Sequence, residues 1–157
     1  MDRIKLIQTY LKEKRNTTII HEHYLNTLRE YAPGTDLYMR EIHFLVAVEL
    51  DRPVSISALA QKLEVTLGAA SQMATKLEKK GLVSRFPDPE DRRRTMVSLT
   101  EEGARLHQQH LEYDQRQMEK ISSLFSSFSD QDMERLIEAE HIFQQGLRTR
   151  NANRYAD

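Results

Sequence analysis

Cysteine is absent from this 157-residue chain, which excludes disulfide bonds and any sensor based on a thiol. The sequence also has no apolar run long enough to span a bilayer. Its first five residues carry mixed charges, unlike the basic region and apolar stretch of a secretion signal. We therefore expect a cytoplasmic protein without membrane contact and, at this length, a single domain over residues 1–157.

The signatures of an enzyme are also missing: there is no glycine-rich phosphate loop, no nucleophile beside a base and no cofactor motif. We expect neither catalysis nor a cofactor. The net charge of −1 says nothing about nucleic acid, but the charge is unevenly divided. Residues 72–94 hold seven basic and four acidic side chains, whereas residues 101–141 hold ten acidic and four basic ones. Such a division is expected when only one end faces phosphate.

Two short helices joined by a turn are predicted in the middle of the chain. Ser55 is a good N-cap for a helix over about Ile56–Leu63, and Thr66 for a second helix that Gly81 ends. Apolar side chains recur at helical spacing on one face of each helix: Leu59, Ala60, Leu63, Ala70, Met73 and Leu77. The pattern is typical of a helix-turn-helix unit.

The other face of the second helix carries small and polar side chains. The Gln72 amide can pair with two edge atoms of adenine, and the Lys76 ammonium group suits a phosphate. Gly68, in the first turn, lets the backbone approach a phosphate closely. We expect DNA contacts here from Ser55, Thr66, Gly68, Ser71, Gln72, Thr75 and Lys76. The alternative is an ordinary solvated helix face.

A β-hairpin with an arginine-rich tip is predicted directly after this unit. Its strands are Leu82–Phe86 and Thr95–Leu99, and the prolines of residues 87–94 exclude a helix between them. Asp91 and Arg93 lie two residues apart, so we expect an ion pair that stabilises the tip. Arg92 and Arg94 then project toward DNA, where a narrow minor groove attracts guanidinium groups.

These motifs resemble the MarR family of bacterial transcriptional regulators. The likeness lies in Leu59-Ala60 with Leu63 and Val65, in residues 77–83 (LEKKGLV), in Asp91 to Arg94, and in residues 99–103 (LTEEG). It implies a mainly α-helical winged helix-turn-helix fold with a small β-hairpin wing. It also implies a dimeric repressor or activator with the helix from Thr66 in the major groove of double-stranded DNA. Many members have arginine after the helix serine, whereas this chain has Gln72.

The flanking regions are predicted to be helical. One helix keeps an apolar stripe over about residues 1–32 and ends near Pro33-Gly34, and a shorter one covers Glu41–Leu50. Thr100 caps a long helix whose apolar face continues through Phe125 and Phe128, and Ser129 opens the last helix. We therefore expect a winged lobe over about 38–99 and dimerisation helices over about 1–32 and 100–148. An intramolecular helix bundle is the alternative.

A homodimer fits a DNA target, because two recognition helices related by a dyad bind a pseudo-palindrome with half-sites about 10 base pairs apart. The resemblance also implies a small lipophilic or aromatic anionic effector in a crevice beside the dimer helices. The candidate lining is His23, Tyr24, Tyr38, His43, Phe44 and Met73. Plain core packing of these side chains is the alternative.

Histidines raise a further alternative, a zinc-responsive regulator of the same fold, since zinc commonly binds imidazole nitrogens. The candidate ligands are His23, His43, His107 and His110, although histidines on helices are more often ordinary surface or core residues. We expect no metal. A winged-helix protein-interaction module without DNA binding is the other rival, and salt dependence of binding separates it from a DNA-binding protein.

Overall fold

Helices dominate the computed structural model, which describes residues 2–152, with side chains described through 149. In chain order the elements are α1 (Arg3–Leu25), β1 (Leu28–Ala32), β2 (Thr35–Tyr38), α2 (Met39–Ala47), β3 (Val54–Ser55), α3 (Ile56–Lys62), α4 (Leu67–Lys79), β4 (Val83–Pro87), β5 (Thr95–Leu99), α5 (Glu101–Leu124) and α6 (Asp130–Ala152). The predicted mainly α-helical fold with a β-hairpin wing is confirmed. Among the described residues no helix is long and apolar enough to cross a bilayer.

The chain divides into two compact units, one ending at Tyr113 and one beginning at Asp114. The first unit has a continuous apolar core, to which α2, α3, α4, the wing strands and the start of α5 contribute. Its most buried members are Leu37, Met39, Ile42, Phe44, Leu45, Leu59, Ala74, Leu77, Val97 and Leu106. The single-domain prediction for residues 1–157, of which 1 and 153–157 lie outside the described residues, stays a prediction.

The first helix is shorter than predicted. It ends at Leu25, where the Asn26 amide group donates to the Glu22 carbonyl at 2.8 Å. Leu28–Ala32 and Thr35–Tyr38 then form an antiparallel hairpin whose turn is Pro33-Gly34, with Gly34 at φ 75°. The predicted helix over residues 1–32 was therefore wrong at its end. Proline and glycine stop a helix, but they form a hairpin turn equally well.

The wing is part of a three-stranded sheet in the order β3-β5-β4. The two predicted strands are confirmed within one residue, with Val83 opposite Leu99 and Pro87 opposite Thr95. The two-residue strand β3, which pairs Val54 with Val97, was not predicted. Only two residues pair there, which is too short for a periodic pattern to appear in the sequence.

Helix α5 begins against the first wing strand. Thr100 caps it as predicted, because its hydroxyl accepts the Gly103 N–H at 3.0 Å and donates to the Gly81 carbonyl at 2.7 Å. A Cβ at Gly103 would lie 1.9 Å from the Leu82 carbonyl oxygen. Glycine is therefore required here by close packing of the helix on the strand.

The second unit contains the end of α5 and all of α6. Ser129 caps α6 as predicted, since its hydroxyl accepts the Asp132 N–H while the Asp132 carboxylate accepts the Ser129 N–H at 3.0 Å. Helix α5 ends at Leu124, so Phe125 and Phe128 lie in the turn rather than on the predicted helix face. The larger apolar side chains of this unit are mostly exposed: Met118, Ile121, Leu124, Phe125, Phe128, Leu136, Ile137, Ile142 and Leu147.

Candidate nucleic-acid interface

Helices α3 and α4 form the predicted helix-turn-helix. Ser55 Oγ accepts the Ala58 N–H at 3.2 Å, and Thr66 Oγ1 accepts the Ala69 N–H at 3.1 Å, which confirms both N-caps. The turn passes through Glu64, whose φ of 53° is the left-handed conformation. Gly81, at φ 71°, follows the end of α4 as the sequence predicts.

The first half of α4 presents an open outer face. Gly68 and Gln72 are exposed, and Ser71 is half-buried beside them. A Cβ at Gly68 would meet nothing within 4 Å, so nothing inside the chain requires glycine there. Thr66 is exposed at the start of the same helix. Four of the residues with predicted DNA contacts are thus brought together.

The second half of α4 is held on the side facing the wing. Thr75 Oγ1 donates to the Ser71 carbonyl at 2.8 Å and accepts a hydrogen bond from Arg85 Nη1 at 2.8 Å. Arg85, on β4, also binds the Glu78 carboxylate, with Nε 2.9 Å from Oε2. The only proton of the Thr75 hydroxyl is therefore already donated within the chain, so the structure does not favour the predicted DNA contact of Thr75.

On its other side, α4 is held by a carboxylate that the sequence prediction missed. Glu41 is 0% exposed and accepts the Tyr38 N–H at 2.8 Å. Its two oxygens lie 2.9 Å from Lys76 Nζ and 2.9 Å from Lys80 Nζ. Lys76 therefore pairs with Glu41 in the chain without DNA, and its predicted contact with phosphate stays a prediction.

Burial by itself would raise the pKa of Glu41, but the Tyr38 N–H and the two lysines together hold it below its ordinary value. The carboxylate is therefore charged at neutral pH. A signal existed in the sequence, since Glu41 lies three and four residues before Phe44 and Leu45 and so falls on the apolar face of α2.

Ser55 lies outside the exposed face of the helix-turn-helix. It is 5% exposed, and its hydroxyl is occupied by the helix cap and by Ser57 Oγ at 3.0 Å. A side chain buried in this way stabilises α3 but offers no group to a ligand. The exposed Ser57 lies at the surface instead.

The wing tip is stabilised differently from the prediction. Asp91 accepts the Arg93 backbone N–H at 3.0 Å, and no ion pair joins its carboxylate to the Arg93 guanidinium in this described part of the chain. The nearly buried Asp88 holds the loop, because its carboxylate accepts the Glu90 N–H at 3.0 Å and lies 3.6 Å from Arg94 Nη1. The expected Asp91–Arg93 pair was therefore wrong, and Arg94 is partly occupied. Arg92 and Arg93 are exposed.

A surface groove of about 270 Å³ separates the wing from the helix-turn-helix. It is lined by Ile56, Ser57, Leu67, Ser71, Arg93, Arg94 and Thr95. Two guanidinium groups and three hydroxyl groups thus line one open groove. This combination can bind a phosphate backbone, because both groups donate hydrogen bonds to anionic oxygens.

A second cavity, of about 340 Å³, brings together half of the predicted effector residues. It is lined by Glu22, Leu25, Arg40, His43, Phe44, Leu63, Val65, Ala69, Ala70 and Met73. His23, Tyr24 and Tyr38 do not line it, although Glu22 and Leu25 of the same helix do. Tyr38 lies under Lys76 Nζ, 4.8 Å from the ring centroid. The sequence prediction missed Arg40, whose guanidinium lies 3.9 Å from the Glu22 carboxylate.

The candidate metal ligands are not gathered into one site. His43 and His110 have ring centroids 5.7 Å apart. Within residues 2–149, no group of three or more histidine and acidic side chains has a geometry that could hold a metal. His107 is buried, and this burial is the main reason why its pKa is lowered. The positive charge of Lys62 lowers the pKa further, while hydrogen bonds with the backbone of Val46 and Val48 raise it in part. It therefore favours the neutral imidazole.

Comparisons with known proteins agree with this architecture. A model of the MarR family matches residues 37–95. The uncharacterized HTH-type transcriptional regulator YhjH of Bacillus subtilis is 28% identical over 114 residues, 73% of this chain and 63% of the relative. The multiple antibiotic resistance protein MarR of Escherichia coli is 33% identical over 82 residues, 52% of this chain and 57% of that protein. The matches thus span about three fifths of the length of each of these two relatives.

Among solved structures, Streptococcus pneumoniae FabT in complex with DNA is similar with a TM-score of 0.64. The alignment covers 93% of this chain and 98% of FabT, at 24% identity, and therefore supports the fold alone. The family model covers the helix-turn-helix and most of the wing, and the fold continues beyond it on both sides. Residues 37–95 thus carry a MarR-family domain, and the chain shares the winged-helix fold of FabT over nearly its whole length.

Proposed function

We propose that this chain is a sequence-specific transcriptional regulator, a repressor rather than an enzyme, that binds double-stranded DNA as a homodimer. One observation carries the proposal. The first half of α4 exposes Gly68 and Gln72 beside the half-buried Ser71, while ion pairs and hydrogen bonds hold its second half on both sides. A helix held at one end and open at the other suits insertion into a major groove.

The exposed groups divide into those that position the protein and those that recognise bases. Gln72 offers an amide that can pair with adenine, and Gly68 leaves room for the DNA backbone. Arg92 and Arg93 carry the positive charge of the wing tip, and Arg93 and Arg94 line the groove that a phosphate strand would occupy. Because arginines lie both at the wing tip and in the adjacent groove, we expect the wing to contact the minor groove or the phosphate backbone of DNA.

A homodimer is supported by α1, none of whose side chains is fully buried in the single chain and of which only Tyr24 and Leu25 pack against the core. Its exposed apolar side chains favour burial away from water, and packing against a second copy of the chain about a two-fold axis would bury them. Two recognition helices would then contact a pseudo-palindromic operator with half-sites about 10 base pairs apart. FabT, which shares the fold, was solved with DNA.

Modulation by a small molecule is the second part of the proposal. The cavity beside α4 combines apolar walls from Phe44 and Met73 with the cationic Arg40 and with His43. A lipophilic or aromatic anion fits this lining, because its charge and its apolar body both find partners. An effector coupled by about 1–3 kcal/mol would change operator affinity 5- to 150-fold.

The test is selection of bound fragments from the source genome, with and without small metabolites, followed by salt titration on the selected duplex. We expect a recurring pseudo-palindrome and a steep loss of affinity with salt, about 0.9 logarithmic units per phosphate neutralised. A shallow salt slope without preference among duplexes would instead support the protein-interaction module. Retention of zinc by the purified protein, with loss of DNA binding on chelation, would favour the zinc-responsive alternative.

A further inference from the structure

Glu41 is a buried charge that the proposed DNA-binding surface does not use. It lies on α2, yet its ionic partners are Lys76 on α4 and Lys80, the C-cap residue of α4. A buried carboxylate is costly unless its oxygens are satisfied, and here an N–H and two ammonium groups satisfy them. The cluster therefore joins the recognition helix to the body of the protein through charge as well as apolar packing.

The two lysines lie on the helix edge that continues from Gln72. Gln72, Lys76 and Lys80 are spaced four residues apart, so their side chains follow one another along the same edge of α4. Long cations directly after a base-contacting residue would ordinarily reach for phosphates. In this structure both ammonium groups turn back toward α2.

Each ammonium group is held by more than one contact. Lys80 Nζ donates to the Asp36 carbonyl at 2.8 Å and lies 3.1 and 2.9 Å from the two Glu41 oxygens. Lys76 Nζ lies 2.9 Å from Glu41 and above the Tyr38 ring. An ammonium group has three donors, so those of Lys80 are filled. Lys76 is still 51% exposed, which leaves its side chain room to swing outward once its partner is gone.

We propose, on the basis of the proposed DNA-binding function, that Glu41 is a positioning residue that withholds Lys76 and Lys80 from DNA phosphates while fixing the second half of α4. Phosphate contacts raise affinity for every sequence equally. Withholding two cations keeps this indiscriminate affinity low, so that contacts at Gln72 decide which duplex is bound. Glu41 thus contributes to specificity without touching DNA.

The test replaces the charge and keeps the shape. Glu41→Gln removes the negative charge while retaining an oxygen that can accept the Tyr38 N–H. We expect stronger binding to random duplexes, a smaller ratio of operator to random affinity, and a steeper salt slope. Each freed lysine that engages a phosphate adds about 0.9 to the slope, or about threefold more affinity loss between about 50 and 200 mM salt.

Glu49→Gln is the matched control, because Glu49 pairs with Arg52 and with no residue of α4. It should leave both the slope and the ratio unchanged. The double variant Glu41→Gln with Lys76→Gln should have a salt slope between those of Glu41→Gln and the wild-type protein, because one of the two freed cations is removed. A purely structural role for Glu41 predicts a uniform loss of affinity without a steeper slope. A folded Glu41→Gln protein with that behaviour, or with an unchanged slope, would overturn the proposal.

Two measurements keep the test decisive if Glu41→Gln does not fold. Lys76→Gln in the otherwise unchanged chain should leave the salt slope as it is, whereas flattening by about 0.9 would show that Lys76 already contacts phosphate. Amine-reactive labelling of the wild-type protein should modify Lys79 faster than Lys80, and equal rates would count against the cluster. If the wild-type protein bound no duplex at all, the proposed function would fall, while the labelling would still decide whether Glu41 holds the lysines.

Discussion

The winged unit buries its large apolar side chains within one chain, whereas helix α1 leaves its own in solvent. Leu37, Leu59 and Leu77 are fully buried in the first case, while Ile4 and Ile20 are 64% and 68% exposed in the second. Both regions are rich in aliphatic residues at helical spacing. The difference teaches that an amphipathic pattern predicts a helix but does not say which chain covers it.

The difference in burial between the two regions has an energetic consequence. Covering one large aliphatic side chain contributes about 1.5–3 kcal/mol, so the winged unit is stabilised independently of protein concentration. Cover for α1 by a second copy would make the stability of that helix depend on concentration. The two regions should therefore respond differently to substitutions, to dilution and to pH.

The largest effect is expected in the winged unit, at Gly103. In Gly103→Ala the new Cβ would be placed 1.9 Å from the Leu82 carbonyl oxygen, so α5 must move away from the wing strand. Overpacking of this kind costs at least about 3 kcal/mol where backbone meets backbone. Urea unfolding should show a much lower midpoint, at any protein concentration.

Gly146→Ala in α6 is the matched control, because a Cβ there meets nothing within 4 Å. It should stabilise the helix by up to about 1 kcal/mol, since alanine favours helix more than glycine does. Equal destabilisation by both substitutions would show that close packing at Leu82 is not what requires glycine at position 103.

The second largest effect is expected in α1. Ile7 and Leu11 lie one turn apart, and the double variant Ile7→Glu with Leu11→Glu places charges on the exposed apolar face. If this face joins two chains, loss of two buried aliphatics per copy should raise the dimer dissociation constant at least about 100-fold. Sedimentation should show a monomer where the wild-type chain is a dimer.

Leu50→Glu is the control for this variant, because Leu50 is equally exposed but follows α2 in the winged unit. It should leave the oligomeric state unchanged. A wild-type chain that sediments as a monomer at all concentrations would contradict the homodimer and would revive the intramolecular bundle.

Local signals explain why most of the winged unit could be predicted from the sequence. The caps at Ser55 and Thr66 and the stop at Gly81 act over three or four residues, so the sequence contains them directly. The β1–β2 hairpin was missed because Leu28 and Tyr31 also fit a helical spacing, and Pro33-Gly34 suits both a helix stop and a turn.

Ionic partners were harder to predict than helices. Glu41 and Lys76 are 35 positions apart in the sequence and meet only after α2 packs on α4. In the wing, the residue spacing suggested Asp91 with Arg93, but a short aspartate side chain readily accepts the N–H two residues on. Asp88 then became the partner of Arg94. Spacing alone gives the possible partners of a charge, and the fold selects among them.

A smaller, position-specific effect is expected from Gln72→Ala on the open half of α4. Loss of an amide that recognises one base should cost about 1–3 kcal/mol on the preferred operator and much less on duplexes already changed at that base. Competition binding with operators substituted at one position at a time measures this directly. An equal loss on every duplex would show that Gln72 contacts no base.

Arg92→Ala, at the wing tip, supplies the contrast. It should weaken binding to all duplexes alike and flatten the salt slope by about 0.9, because a guanidinium on phosphate carries no sequence information. If Arg92→Ala instead changed base preference, the wing would be recognising sequence, and the division between positioning and recognition would be wrong.

The smallest effect concerns pH and again separates the two regions. Burial lowers the pKa of His107 below its ordinary value of 6.5, so the fold favours the neutral ring while the unfolded chain takes up a proton near pH 6.5. Stability should therefore decrease as pH falls from about 6.5 and should not depend on this group above it. The free energy of unfolding in urea, measured from about pH 8 to about pH 3 in steps of about half a unit, tests this.

His107→Gln should flatten the decrease, even if its stability at pH 8 is lower, because only the dependence on pH reports the proton. His21→Gln, on the exposed surface of α1, should leave the wild-type dependence in place. Below about pH 4.5 a further decrease should appear in both variants, since the lowered pKa of Glu41 makes its ion pairs fail only when the carboxylate takes up a proton. The contrary outcome is that His107→Gln and the wild-type protein lose the same amount of stability between about pH 8 and about pH 5. In that case a group other than the His107 imidazole would cause the loss of stability in acid.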